Sequence, residues 1–284
     1  MEKIGWIGLG AMGTPMAKNL EKAGFVLSVY NRSQEKTFPF SDTATQVCKS
    51  VAELVSVSDI IFTMVSNDTA GEAVYNEILE SDSLKGKLFI DMSTISEKLS
   101  QDIALRIKDK EASFLDAPVA GSTVPATQGT LVILTGGEKT DVERARPYFE
   151  KLGKSIKYFG ANGKGIAAKL SINYLVALTY LGLSEAVLYA KSNGIMPEDI
   201  LDAINDSATG SGATKLKSPM IIAEDYSPQF ALELMLKDLK LAQESGMDMP
   251  LTATLVDTYS NAKKNGLGEL DVISVIEFIK QRKP

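Results

Sequence analysis

KIGWIGLGAMG, residues 3–13, is the stretch that decides the fold. Its first half, Lys3–Gly8, is a short apolar run with strand character. Gly8-Leu9-Gly10-Ala11-Met12-Gly13 then matches G-x-G-x-x-G, and Ala11, Pro15, Met16 and Leu20 open an amphipathic helix. The glycine spacing recurs by chance; a strand before it and a helix behind it make it specific. In that setting Gly8 permits the tight turn, Gly10 lets backbone approach a pyrophosphate, and Gly13 lets helix and strand pack closely. The phosphates then rest on open N–H groups at the helix N-terminus. The alternative is a glycine turn without a ligand, which the strand–turn–helix context disfavours.

The second apolar run, FVLSVY (25–30), indicates which dinucleotide. Sites for NAD place Asp or Glu about 20 residues on, to bind the ribose 2′-hydroxyl. Here that position is Asn31, followed by Arg32 and Ser33. Asn31 does not repel a 2′-phosphate, and Arg32 can pair with one and stack on adenine. The expected cofactor is NADP(H).

Farther out, apolar runs alternate with helical patterns. The runs are DIIFTMV (59–65), KLFIDM (87–92), SFLDAPV (113–119), TLVILTG (130–136) and SIKYFG (155–160). Between the runs lie Pro15–Lys22, Ser50–Val57, Ala70–Leu79, Glu97–Lys110 and Asp141–Leu152. The alternation predicts an α/β class with a doubly wound, mainly parallel Rossmann sheet over residues 1–162. Ile166–Ser192 reads as one long helix, apolar on most sides and therefore buried between domains or subunits. Only helical patterns follow: Pro197–Ile204, Lys215–Ile222, Phe230–Ser245, Pro250–Asn265 and Asp271–Gln281. Residues 163–284 are thus expected to form an all-α second domain, for substrate and oligomerisation.

Composition removes whole classes of function. A net charge of −6, with basic residues dispersed among acids, gives no global support for a nucleic-acid or anionic-membrane partner. The chain has no histidine, which excludes Ser-His-Asp, Cys-His and His-based zinc chemistry. A proton donor must be Lys, Tyr, Cys or a carboxyl group. The single cysteine, Cys48, fits a reducing compartment. No basic segment leads into a long apolar run at the N-terminus, and Lys169, Asn173 and Glu185 interrupt the most apolar stretch. The expectation is a cytoplasmic protein with neither leader nor membrane span.

Ligands of open α/β sheets bind at the carboxyl ends of the strands. Three turns fall there: Val65-Ser66-Asn67, Asp91-Met92-Ser93-Thr94, and Asp116 through Ser122. Lys169 and Asn173, four apart, share one face of the long helix, each a polar residue in apolar surroundings. Periodicity alone leaves a snorkelling lysine and a structural asparagine equally open.

The ordered set G-x-G-x-x-G, D-A-P-V-x-G (116–121), G-x-G-x-x-x-K-x-x-x-N (163–173) and K-D-L-x-L-A (237–242) resembles the β-hydroxyacid dehydrogenase family. The resemblance spans essentially the whole chain. It implies a Rossmann domain, an interdomain helix, a helical C-terminal domain that dimerises or tetramerises, and hydride transfer from a nicotinamide to a small carbonyl compound. Lys169 matches the family's catalytic lysine and Asn173 the asparagine that orients it and the substrate oxygen; both also touch substrate. Ala120, Gly121 and Ser122 fall in the loop that holds a substrate carboxylate. Met64, Val65, Ser66, Thr94 and Lys237 match positions around the cofactor's nicotinamide end.

The stretch Gly121-Ser122-Thr123-Val124-Pro125-Ala126 is most similar to the NADPH-dependent glyoxylate/succinic semialdehyde reductase branch, although Ala120 replaces the usual serine. On this reading Leu170, Ile172 and Leu175 desolvate Lys169 and lower its pKa. Two rivals are an imine reductase on the same fold, disfavoured by Lys169, and a non-catalytic NADP-binding protein, which would lack that lysine. Tyr259-x-x-x-Lys263 matches a short-chain dehydrogenase pair but stands far past the Rossmann core and reads as a helix face. The acids of 143–150 and 238–244 read as solvated helix faces.

Overall fold

A computed structural model describes residues 2–281. The decisive stretch forms strand β1 (Ile4–Ile7) and helix α1 (Gly13–Lys22). There follow β2 (Leu27–Tyr30), β3 (Gln46–Val47), α2 (Val51–Val57), β4 (Ile60–Thr63), α3 (Asp68–Leu79), β5 (Leu88–Asp91), α4 (Glu97–Lys108) and β6 (Ser113–Asp116). The six strands make one parallel sheet in the order β3-β2-β1-β4-β5-β6. The chain winds outward from β1 to β3, then returns to pair β4 on the other side of β1. That reversal makes the carboxyl ends of β1 and β4 the switch point, where sheets of this kind bind ligands in a crevice. Every residue of β1, β4 and β5 is buried, as strands with helices on both faces must be.

The run 113–119 is not one strand. β6 stops at Asp116, and Val119–Ala120 (β7) joins a second, three-stranded sheet with β8 (Leu131–Thr135) and β9 (Gly153–Tyr158). Pro118 marks the change. Ala117 N–H still donates to Asp91 of the large sheet (2.7 Å), whereas the Pro118 carbonyl accepts from Leu134 N–H (2.9 Å) in the small one. Proline has no N–H with which to continue the first ladder. Helix α5 (Thr123–Gln128) lies in the β7–β8 connection and α6 (Lys139–Leu152) precedes β9. Trp6 stacks on Phe62 with centroids 5.3 Å apart, and Phe62 meets Tyr148 and Phe149 of α6 edge-on. These rings anchor α6 to the centre of the sheet.

Helix α7 runs without a break from Lys164 to Ser192. It precedes α8 (Pro197–Asp206), α9 (Gly212–Ala223), α10 (Leu232–Glu244), α11 (Thr252–Ala262) and α12 (Val275–Lys280). The chain divides into two compact units, Met1–Lys169 and Leu170–Pro284. The division falls inside α7, whereas the sequence reading sets its boundary at residue 162. By length and composition α7 could cross a membrane, with 39% of its most apolar window buried within the chain. Within the single chain Ile172, Leu175 and Tyr189 of α7 are exposed. The second unit packs around Tyr180, Leu183, Leu239, Leu255 and Tyr259. Within it Lys217 and Asp271, both almost fully buried, pair at 2.8 Å, and Asp271 also accepts from the N–H groups of Gln229 and Phe230. A buried carboxylate needs such partners to be tolerated.

Candidate active site

In the first unit the glycine turn requires its glycines. Gly8 has φ 99°, and a Cβ there would lie 2.2 Å from the Met64 carbonyl oxygen. A Cβ on Gly13 would come within 2.0 Å of the Gly8 carbonyl oxygen. A Cβ on Gly10 would meet nothing within 4 Å, so the backbone faces open space, and Gly10 and Ala11 are exposed. Helix α1 has no side-chain cap at Met12 and no acid in its first turn. These features suit a pyrophosphate: open amides, positive helix end, and no competing anion.

Four turns of the first unit are tied together at the carboxyl ends of the strands. Gly8 N–H donates to the Tyr30 carbonyl (3.0 Å) and Met64 N–H to the Ile7 carbonyl (2.9 Å). Asn31 Oδ1 accepts from Leu9 N–H at 2.8 Å, and its Nδ2 donates to the Ser33 carbonyl at 2.9 Å. Asn31 therefore braces the glycine turn against the turn after β2 and leaves no carboxylate there. Arg32 is exposed beside it. Val65 N–H donates to Ser93 Oγ (2.8 Å), joining the turn that contains Met64, Val65 and Ser66 to the one that contains Thr94. Ala120 closes β7, and Gly121 and Ser122 lead into α5. Asn19 of α1 donates to the Ala126 carbonyl of α5 at 2.8 Å, which connects this loop to the helix of the glycine turn.

The first unit also contains the start of α7. Gly163 offers no side chain to cap it, and Asp116, at the end of β6, supplies the acceptor instead. Its Oδ1 accepts from Gly163 N–H at 2.8 Å and its Oδ2 from Ile166 N–H at 3.1 Å. Burial pushes the Asp116 carboxyl above the usual carboxylate range, while those two amides pull against the shift. The carboxylate fits because Gly136 and Gly165 lack side chains; a Cβ on either would come within 2.6–2.7 Å of it. Lys169, one turn beyond Gly165, is buried. Leu170 is buried as well, but Ile172 and Leu175 are 36% and 63% exposed, which corrects the view that all three desolvate the lysine. Leu175 lies six residues on, and at 3.6 residues per turn that is another face of the helix.

In the second unit Asn173 is buried and its Nδ2 donates to Asp238 Oδ2 at 2.5 Å. Lys237 Nζ lies 3.0 Å from the other oxygen of Asp238. Asp238 is 3% exposed, so the reading of 238–244 as a solvated face fails at its first residue. It orients the Asn173 amide: with Nδ2 turned to the carboxylate, Oδ1 is left as the acceptor. Leucines at 236 and 239 on either side were the signal that this turn faces inward. Tyr259 is fully buried with its hydroxyl on the Ala177 carbonyl (3.2 Å), and burial holds its pKa far above the usual tyrosine range. It is a core residue, whereas Lys263 pairs with Glu233.

Comparison with known proteins agrees along the whole chain. Residues 3–160 match the family model for the NAD binding domain of 6-phosphogluconate dehydrogenase. Residues 163–279 match that for the NAD-binding region of NADP-dependent 3-hydroxyisobutyrate dehydrogenase. The chain is 34% identical to glyoxylate/succinic semialdehyde reductase 1 of Arabidopsis thaliana, over 98% of each chain. It is 35% identical to the 2-hydroxy-3-oxopropionate reductase of Escherichia coli, over 98% and 97%. The 3-hydroxyisobutyrate dehydrogenase of Mycobacterium tuberculosis, solved with L-serine, superposes with a TM-score of 0.90 at 29% identity, covering 99% of both chains. This chain belongs to the β-hydroxyacid dehydrogenase family, oxidoreductases that act on CH–OH groups of small molecules with a nicotinamide cofactor.

Proposed function

We propose that this protein is an NADP(H)-dependent reductase of a small aldehyde or ketone, of the succinic semialdehyde or glyoxylate kind, with Lys169 as its acid/base group. The observation that carries the reading is a buried lysine one turn inside a helix whose start is fixed to the sheet's carboxyl edge by Asp116, in a chain without histidine. Bound NADPH supplies the hydride. Lys169 gives its proton to the carbonyl oxygen as the carbon is reduced, and takes it back in the direction of alcohol oxidation. Asn173, held by Asp238 with Oδ1 as acceptor, orients the lysine and the substrate oxygen. The Gly121-Ser122 loop receives the substrate carboxylate, with Ser122 in place of the hydroxyl that Ala120 lacks. Arg32 takes the 2′-phosphate, a preference supported by the neutral Asn31 brace. The exposed Leu175 and Tyr189 of α7 are surface for a second subunit to cover.

The test is NADPH consumption over a panel of glyoxylate, succinic semialdehyde, tartronate semialdehyde and methylmalonate semialdehyde, repeated with Lys169→Ala. The variant should lose about 10²-fold or more in kcat while binding NADPH normally. Lys169→Arg should rescue poorly, because a guanidinium stays protonated. Near-wild-type turnover by the alanine variant on the best substrate refutes the role, as does a parallel loss of NADPH binding.

A further inference from the structure

Asp91, the last residue of β5, is completely buried, and its Oδ1 gathers three hydrogen bonds. They come from the Thr63 hydroxyl at 2.8 Å, the Ser93 hydroxyl at 2.6 Å and the Ser93 N–H at 3.2 Å. The Thr63 hydroxyl spends its one proton on Asp91, so the Tyr75 hydroxyl, 2.9 Å away, donates to Thr63. Ser93 Oγ in turn accepts from Val65 N–H at 2.8 Å. An unbroken line runs Tyr75, Thr63, Asp91, Ser93, Val65, with every donor directed toward the carboxylate. Asp91 Oδ2 is buried with no hydrogen-bond partner among the described residues. Burial pushes the Asp91 carboxyl up, and the Ser93 and Thr63 bonds pull it down.

A half-satisfied buried acid is a costly way to fill a core, and such exceptions call for a reason. This one reaches both turns at the crevice end of β4 and β5, Met64–Ser66 and Met92–Thr94. We propose that Ser93 is a positioning residue: bridging Asp91 to Val65 N–H, it sets the gap between the two turns that receive the nicotinamide half of the cofactor. This rests on the reading of those turns given above. Ser93 need not touch the cofactor. It acts by holding the nicotinamide ring at the height from which hydride reaches the carbonyl carbon, and an error of about 1 Å there costs up to about 10²-fold in rate.

The test compares Ser93→Ala and the near-isosteric Ser93→Cys with wild type in two assays. Calorimetry measures NADPH and adenosine 2′,5′-bisphosphate, which lacks the nicotinamide half. Turnover uses NADPH deuterated at the transferred position. Both variants should bind the bisphosphate within about twofold of wild type and NADPH several-fold more weakly. Their kcat should fall about tenfold or more with aldehyde KM little changed, and the deuterium isotope effect should rise as hydride transfer becomes limiting. Unchanged kcat and isotope effect overturn the proposal, as does equal weakening of both ligands. If Ser93→Ala does not fold, Ser93→Cys decides alone. If wild type reduces no carbonyl compound, the proposed function falls, and the contrast between the two ligands still decides the role of Ser93. Should NADH bind more tightly than NADPH, the same contrast is read with NADH and ADP-ribose.

Discussion

Replacing Asp116 by alanine removes the acceptor for two amides at the start of α7, Gly163 N–H at 2.8 Å and Ile166 N–H at 3.1 Å. Both bonds are buried, and Gly163 has no side chain to take over. Each orphaned buried donor costs about 1–3 kcal/mol, and part of that is returned because the variant no longer desolvates a carboxyl group. The net loss is roughly 2–4 kcal/mol near pH 4, above the ~0.5–2 kcal/mol of an ordinary lost helix cap because two buried amides are orphaned together. The pH dependence has a definite sign. Burial raises the folded pKa of Asp116 above its unfolded value, so its contribution is full below about pH 4 and declines as pH rises through the folded value. The deficit of Asp116→Ala should therefore be larger at pH 4 than at pH 7. Trp6 is the only tryptophan, fully buried in β1, so its emission in a urea titration reports unfolding of the first unit. A deficit below about 0.5 kcal/mol, or one that grows from pH 4 to pH 7, refutes the reasoning.

Arg32→Ala should weaken NADPH about 10–100-fold, the worth of a charge-assisted hydrogen bond, and leave NADH within about twofold; an unchanged ratio in paired titrations removes Arg32 from the argument. Gly13→Ala places a methyl 2.0 Å from the Gly8 carbonyl oxygen, and the resulting shift of the turn should cost about 1–3 kcal/mol together with cofactor affinity, read by thermal melts with and without NADPH. Cys48 is buried and its thiol is pushed up to about 11 by burial. It should ignore a thiol reagent at pH 8 in the native protein and react fully once urea is added. The neutral thiol's contribution to stability is full below about pH 9 and is lost toward pH 11.

Much of the fold was legible because its signals are local. The strand–glycine–helix stretch, the buried apolar runs and the all-helical second half each announce themselves within about ten to twenty residues. What was missed depends on distant partners. β3 is two residues long and exists only because β2 offers an edge. β7 leaves the large sheet at Pro118 to pair with β8, a change of sheet that the continuous apolar run 113–119 does not show. In the site, the glycine turn, Asn31 and Lys169 stood out by motif and by the lack of histidine. Asp238 reads as solvent-facing because charge on a helix usually is; its reason for burial, Asn173, lies 65 residues earlier. Asp91 and Asp116 could be placed at strand ends, but what each holds is invisible without the turn it faces.

The strand order carries a consequence for how the first unit forms. β1 precedes the other strands in the chain yet pairs on both sides, with Leu27 opposite Ile4 in β2 and Ile60 opposite it in β4. The β4–β5 and β5–β6 pairs each join consecutive strands, whereas closing β1 on β4 must loop out α1, β2, β3 and α2. Loop closure is an entropic cost incurred before any contact offsets it, and this pairing closes the longest loop in the large sheet. The switch point, where sheets of this class receive a dinucleotide, lies between the same two strands. Nascent chains halted before Thr63 would lack it, and the last fastening of the unit, Gly163 and Ile166 onto Asp116, waits until the second sheet is complete.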